Sequence, residues 1–309
     1  MLYPLLLQPV YKEYLWGGRK LKTEYGKTDA PDIVAESWEL AVHEQGDCSI
    51  ANGAYAGATL REYLEAEGSA VLGANVKDGQ PPVLIKLIDT SDSLSIQVHP
   101  DDEYAQSHHN CPGKTEFWYI TACEPGAALY CGIDTISKEE FDCRAQNGSI
   151  MDVLHRVPVQ KGDSFLIAPG TVHAIGKGMT VAEIGTNCNI TYRIYDFGRT
   201  DKDGNERELH LGDAANVFRS GANNKSWETD SDFNARTIDC GPFTVTEASL
   251  AGKREFAATK DSFHYIACLE GGYALEDGTL ITKGQSIFVP AGLGQYVLDG
   301  TAELLLVTI

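Results

Sequence analysis

Positive charge is scarce in this sequence. Lys and Arg total 25 against 44 Asp and Glu, a formal net charge of −19 over 309 residues. So acidic a chain is repelled by a phosphate backbone and by an anionic membrane face, which sets nucleic acid and membranes aside as partners. Long apolar runs are missing as well. No window approaches the roughly 18 uninterrupted apolar residues of a membrane span. The opening MLYPLLLQPVYKEYLWGG lacks the basic start and small-residue cleavage site of a signal peptide. Nor is there a CxxC pair: the eight cysteines, from Cys48 to Cys268, are scattered and fit no zinc knuckle. Without a secretory signal they read as free thiols in a reducing cytosol, and the expected location is cytoplasmic. Low-complexity sequence is absent too. With 43% hydrophobic and 22% charged residues, 31 Gly and 12 Pro, the composition is globular. The chain is long enough to bury a full core without disulfides.

What is present is mostly short, β-rich runs punctuated by Gly, Pro or Asp: PPVLIKLID, LSIQVHP, KTEFWYITA, DSFLIAP, FHYIACLE, QSIFVPAG and AELLLVTI. Runs of this length and spacing predict sandwiches or barrels. Helical periodicity is limited to a few segments. ATLREYLEAEG aligns Leu60, Tyr63 and Leu64 on one face; residues 136–157 read as two short helices broken at Asn147–Gly148; a third helix is expected to start at Arg207. The fold class is therefore mainly β with helical insertions.

An internal repeat organises the chain. Glu116-Phe-Trp-Tyr-Ile leads to Lys161-Gly-Asp-Ser-Phe-Leu-Ile-Ala-Pro-Gly-Thr-Val-His173, and Ser262-Phe-His-Tyr-Ile leads to Lys283-Gly-Gln-Ser-Ile-Phe-Val-Pro-Ala-Gly-Leu-Gly-Gln295. Matching the Lys-Gly pairs puts Gly170 on Gly292 and His173 on Gln295, and matching FWYI with FHYI puts Glu116 on Ser262. The second copy, Gly284-x5-Pro290-x-Gly292-x2-Gln295, resembles the second cupin motif with its terminal His replaced. The expectation is a duplicated cupin (jelly-roll) barrel: residues 1–228 a catalytic barrel with helical insertions, residues 229–309 a degenerate barrel. The polar stretch from Asn223 to Asp232 marks the boundary.

The copies differ where the first carries donors. His99 and His173 with Glu116 make a normal zinc set that leaves a position open for water or substrate. Gln97 lies two residues before His99, so both face one side of a strand. Chemistry alone makes Gln97 a poor zinc ligand, and by spacing it belongs beside the metal rather than on it. His108 and His109 read as solvated, and His43, His155, His210 and His264 as structural.

YLWGGRKL, AESWELAVH, KLIDTSDSLSIQVHPDD, GKTEFWYI, GTVHAIGKG and ITYRIYDFGR occur in order between Tyr14 and Arg199, within a match that spans roughly Tyr11 to Arg199. Together they resemble the type I phosphomannose isomerase family in its short bacterial form. The resemblance implies one zinc ion per chain, held by Gln97, His99, Glu116 and His173. It also implies interconversion of mannose 6-phosphate and fructose 6-phosphate, by proton transfer between C2 and C1. That chemistry asks for carbonyl polarisation, a base near the carbon acid and a cradle for phosphate. Lys86, buried by pattern, Lys114, Arg193 and Arg199 are the cationic candidates. Arg193 resembles the family's catalytic arginine. Lys114 also reads as a snorkelling surface residue, and Arg199 as a surface charge. Glu183 is the leading base, or else a structural carboxylate paired with one of these cations. Trp16 packs the sugar or a hydrophobic corner. Cys188 and Asn189 stand where the family carries Ser-Asp, and Asn189 cannot ionise. Two other readings stay open: a cupin isomerase of another sugar phosphate using Fe or Mn, and a sugar-phosphate-binding cupin without turnover. The expected partner is a small sugar phosphate, and the expected state a monomer or weak homo-oligomer.

Overall fold

The computed structural model describes residues 2–200, 203–220, 228–230 and 235–309. Its secondary structure is mainly β, and the chain forms two compact units that are discontinuous in sequence. One comprises Glu13–Gly18 and Ile88–Asn224, the other Met1–Lys12, Arg19–Leu87 and Lys225–Ile309. A single cut at 228/229 does not separate them. The reason is strand pairing: Leu5–Gln8 joins Ser286–Val289, so the start of the chain belongs to the sheet of the second repeat. The polar stretch 223–232 lies outside the described residues except for 228–230.

The 88–224 unit holds a five-stranded antiparallel sheet in the order Leu154–Pro158, Ala128–Ile133, His173–Ala174, Ile96–Val98, Tyr192–Tyr195. One of its faces is apolar. Ile96, Val98, Ala174, Tyr192 and Ile194 pack with Phe141, Ala145, Ala214 and Ala215 from the helices Lys138–Asn147 and Leu211–Val217. Because strand side chains alternate, the intervening residues point to the opposite face, which is left free for polar groups. The unit's other strands, Ser164–Ile167, Glu116–Cys123 and Met179–Thr186, are antiparallel neighbours.

The helical insertions differ in detail from the sequence reading. Lys138–Asn147 stops at Gly148, with φ at 77°, as the Asn-Gly pair predicts. Past that glycine the chain makes a short 3-10 turn, Ser149–Val153, and then strand rather than helix from Leu154. The helix expected from Arg207 begins only at Leu211. His210 holds the preceding chain out of the helix, since its N–H donates to the Arg193 carbonyl and its Nδ1 accepts the Arg193 N–H.

In the other unit a nine-stranded antiparallel sheet includes the long strands Thr244–Ala258, His264–Ala274 and Gly294–Thr308. Its core gathers Ile266, Tyr273, Ile281, Ile287, Val289, Tyr296, Leu298 and Leu304. The helix Leu60–Glu67 begins with a capping box. Thr59 Oγ1 accepts from the Glu62 N–H, Glu62 Oε2 accepts from the Thr59 N–H, and Leu60, Tyr63 and Leu64 are buried as expected.

Backbone hydrogen bonds fix how the two repeats correspond. Gly162 donates to Ile120 and Ile120 to Asp163; Gly284 donates to Cys268 and Cys268 to Gln285. Ile120 therefore matches Cys268, and Glu116 matches His264 rather than Ser262. The sequence match of FWYI with FHYI is out by two residues. A slip of two leaves every side chain on its own face, so the hydrophobic pattern does not expose it. Likewise Gly170 donates to the His99 carbonyl and Gly292 to that of Thr259, which matches His99 with Thr259. The counterparts of His99, Glu116 and His173 are thus Thr259, His264 and Gln295. No such trio makes a metal set.

Among the described residues no helix is long and apolar enough to cross a membrane, and all eight cysteines are free thiols.

Candidate metal centre

Antiparallel register lines up a polar row across the inner face of the five-stranded sheet. Cys131 opposes His173, His173 opposes Gln97, and Gln97 opposes Arg193. Directly opposed residues project to the same side. On the neighbouring strands Glu116 opposes Gly185 and Trp118 opposes Glu183, so Glu116, Trp118 and Glu183 share a face. The two faces meet: His173 Nε2 lies 3.6 Å from Glu116 Oε2, His99 Nε2 lies 3.2 Å from Glu116 Oε1, and the two imidazole centroids are 4.8 Å apart. Trp118 walls the site, edge-on to His173 at 5.3 Å.

The donors are poised for a cation. His99 Nδ1 is hydrogen-bonded to the Ile190 carbonyl at 2.9 Å, and His173 Nδ1 to the Thr171 carbonyl at 2.8 Å. A carbonyl only accepts, so each Nδ1 carries the proton and each Nε2 presents a lone pair. Both Nε2 atoms and Glu116 Oε2 are buried with no partner in hydrogen-bonding geometry, and the ligand atoms lie within 4.8 Å of one another. Buried polar atoms left unpaired cost stability, and three converging on one point is the donor arrangement that a metal ion requires. Burial, then the charge of Lys114, pushes His99 down to about 3, and burial lowers His173, so both imidazoles are neutral. Burial alone would favour the neutral acid of Glu116. The Lys114 ammonium outweighs it and holds the carboxyl well below its usual range. Two neutral imidazoles and one carboxylate fit a divalent ion. Among the described residues no other His, Cys, Asp and Glu group of this kind occurs.

The remaining candidates fall in different places. Lys114 is buried, its Nζ 2.9 Å from Glu116 Oε1, so it is part of the centre and not a surface residue. Glu183 is buried on the face of Glu116. Arg193 stands beside Gln97, its Nη1 donating to the Glu208 carbonyl at 2.7 Å, while its Nε is buried without a partner. Burial and then Arg207 lower its guanidinium somewhat. Arg199 is fully engaged, donating to the Asp196 carboxylate and backbone and, at 2.5 Å, to the Ser93 carbonyl. Trp16 is buried and stacked on Tyr14 at 5.5 Å, with its carbonyl tied to Ser91 and Asp92. Lys86 belongs to the other unit, where its Nζ lies 3.4 Å from Glu36 Oε2 and above the Trp38 ring. Of the two departures from the resembled motif, Cys188 is buried and Asn189 exposed.

Sequence reasoning missed the acid that organises the arginines. Buried Asp196 takes Arg207 Nε at 2.7 Å as well as Arg199. Burial works against its ionisation, but Arg207 and Arg199 hold it below the usual carboxylate range. The one available signal was an Asp at the end of an apolar strand between arginines. It also missed the Ile190 and Thr171 carbonyls, which no side-chain motif announces.

The chain is similar to known proteins along nearly its whole length. The family model of the phosphomannose isomerase type I catalytic domain matches residues 5–119, and that of the mannose-6-phosphate isomerase cupin domain matches residues 236–309. The chain is 37% identical to mannose-6-phosphate isomerase ManA of Bacillus subtilis, over 97% of each chain. It is 33% identical to the mannose-6-phosphate isomerase of Streptococcus mutans, over 99% of this chain and 98% of that one. The crystal structure of the mannose 6-phosphate isomerase from Bacillus subtilis superposes with a TM-score of 0.91, covering 99% of both chains.

Proposed function

The chain belongs to the type I phosphomannose isomerase family, and from that premise we propose that it interconverts mannose 6-phosphate and fructose 6-phosphate at one zinc-binding centre. The observation that carries the reading is the convergence of His99 Nε2, His173 Nε2 and Glu116 Oε2, buried and unpaired, on one point. His99, His173 and Glu116 would hold the ion, with Gln97, beside His173 in the row, as the fourth ligand. When bound, the ion supplies Lewis-acid polarisation of the sugar oxygens.

The chain's own residues do the rest. Glu183 is the base that takes the proton from C2 of the aldose and returns it to C1, as the C1 carbonyl becomes a hydroxyl and the C2 hydroxyl a carbonyl. Arg193 keeps spare donors and a permanent charge, and it orients the sugar oxygens that carry negative charge during this exchange. Lys114 fixes the rotamer of Glu116 and adds positive charge that favours an anionic substrate. Trp118 and the apolar strands exclude water from the centre. Trp16 and Arg199, which belong to the same unit as the centre, remain the candidates for contacts with the rest of the sugar phosphate, Arg199 by exchanging its bonds to Asp196 and Ser93.

The test is a coupled assay of mannose 6-phosphate conversion, run as purified, after chelation and after adding back zinc, manganese or iron(II), with metal content measured in parallel. Turnover lost with the metal and restored by zinc supports the whole reading. Undiminished turnover in metal-free protein overturns the metal centre. Absent turnover with metal fully bound overturns the isomerase, and titration with sugar phosphates then measures a pure binder.

A further inference from the structure

Cys111 and Cys188 are far apart in sequence, yet their sulfurs lie 3.9 Å from each other, too close for any atom to intervene. Both are free thiols, Cys188 buried and Cys111 half-buried. Each sits on a segment that serves the metal centre. Cys111 comes after the helix Asp102–His109 and leads into Lys114 and Glu116. Cys188 comes after the strand Met179–Thr186 and leads into Ile190, whose carbonyl orients His99. The segments are also stitched together, because the Thr115 N–H donates to Thr186 Oγ1 at 2.8 Å and the Thr186 N–H to the Thr115 carbonyl at 3.0 Å.

We infer that Cys111 and Cys188 form a redox-modification site, a dithiol that hydrogen peroxide converts to a disulfide, and that closing it disturbs the metal centre and lowers turnover. The Cys111 thiolate attacks one peroxide oxygen. An S–O bond forms, the O–O bond breaks, and the departing hydroxide takes the thiol's proton and leaves as water. The Cys188 sulfur then attacks the sulfenic sulfur of Cys111, the S–S bond forms, the S–O bond breaks, and the second hydroxide leaves as water with the Cys188 proton. Two thiols lose two electrons and one peroxide is reduced to two waters. Cys111 is the attacking thiol because it is the more exposed. Burial, with Cys188 beside it, pushes its thiol up to about 11, so oxidation is slow near neutrality and speeds up with rising pH.

A disulfide spans about 2.05 Å, so the sulfurs must approach by about 1.9 Å. That movement is drawn from the two segments carrying Glu116 and the anchor of His99. A displacement of about 1 Å at a reacting centre is enough to cost orders of magnitude in rate.

The experiment uses the full metal-loaded chain, treated with hydrogen peroxide at alkaline pH and then with dithiothreitol. A Cys111–Cys188 linked peptide is expected, together with a loss of turnover of at least about tenfold, faster release of zinc to a chromophoric chelator, and recovery on reduction. Cys111→Ser and Cys188→Ser should turn over as the parent does and resist peroxide. Absence of the linked peptide overturns the inference. So does an equal loss of turnover in both serine variants, or a linked peptide that leaves turnover and zinc release unchanged. The coupling to turnover rests on the isomerase reading. Peptide mapping and zinc release need no substrate, and failure of that reading would already be visible in untreated, reduced protein.

Discussion

Replacing Glu116 by Gln should destabilise the metal-free protein as well as empty the centre. The substitution keeps the shape of the side chain but removes the charge facing Lys114 Nζ at 2.9 Å. At that distance, with an effective dielectric of about 20, Coulomb attraction is about 6 kcal/mol before desolvation is subtracted. Both groups are buried, so the orphaned ammonium cannot recover its hydration. Breaking a buried pair from one side typically costs about 3–5 kcal/mol, and that is the expected loss in unfolding free energy by urea titration. Adding Lys114→Met removes the orphaned charge, and the double variant should regain at least about 2 kcal/mol relative to the sum of the singles. Metal content should stay below one ion per chain in Glu116→Gln and in the double variant, since neither restores the carboxylate. Strictly additive losses around the cycle would refute the argument, because they would mean the ion pair contributes nothing beyond its separate members.

The other expectations are more local. His264 is pushed down to about 4 by burial, so the fold holds it neutral, whereas the unfolded chain protonates near 6.5. Its contribution is complete above about pH 7 and is lost as pH falls through 6.5 toward 4; the loss is about 2 kcal/mol by pH 5. His264→Gln should flatten that acid limb in urea midpoints measured against pH, and an unchanged slope would refute the assignment. Gly162 and Gly284 hold the same turn in the two repeats with φ of 91° and 83°. A Cβ at Gly162 meets nothing nearer than 3.9 Å, while one at Gly284 would lie 2.2 Å from the Tyr25 carbonyl. Gly162→Ala should cost about 1–2 kcal/mol for the backbone alone, and Gly284→Ala clearly more, in paired thermal melts. Arg193→Met should lower kcat by about 10²–10³ with stoichiometric metal retained, and Arg193→Lys should restore part of it; full activity in Arg193→Met would remove it from the reaction.

The strands and the His–Glu–His group were legible because both are written locally. Apolar runs between turn residues specify strands, and His99, Glu116 and His173 each lie within or beside such a run. The pairing of segments was not legible to the same degree. Glu116 slipped onto Ser262 because a shift of two preserves every inward and outward position. Arg207 was read as the start of a helix because nothing near it in sequence signals Asp196, and the His210 backbone bonds to Arg193 exist only once the strand is in place. Lys86 was rightly read as buried, but its partner Glu36 lies far away in sequence. The cut at 228/229 failed to separate the units because the strand Leu5–Gln8 crosses to the second repeat, a choice made by tertiary pairing rather than by composition.

The two repeats also separate what a fold needs from what a site needs. The turn glycines Gly162 and Gly284, and Gly170 and Gly292, recur with positive φ because the backbone cannot make those turns cheaply otherwise. The donors do not recur, since a barrel closes without them. In the second repeat the residue matching Glu116 is His264, and its Nδ1 shares a hydrogen bond with the Tyr296 hydroxyl at 2.7 Å while the rings pack edge to face. In the first repeat His99 and His173 each spend Nδ1 on a backbone carbonyl and leave Nε2 with no partner in the chain. Burial alone does not distinguish these histidines, because it depresses all three. The distinction is that two of them aim an unpaired lone pair at a common carboxylate. An arrangement completed by a bound ion would offset that cost, and this is why the proposed centre is assigned to the first repeat.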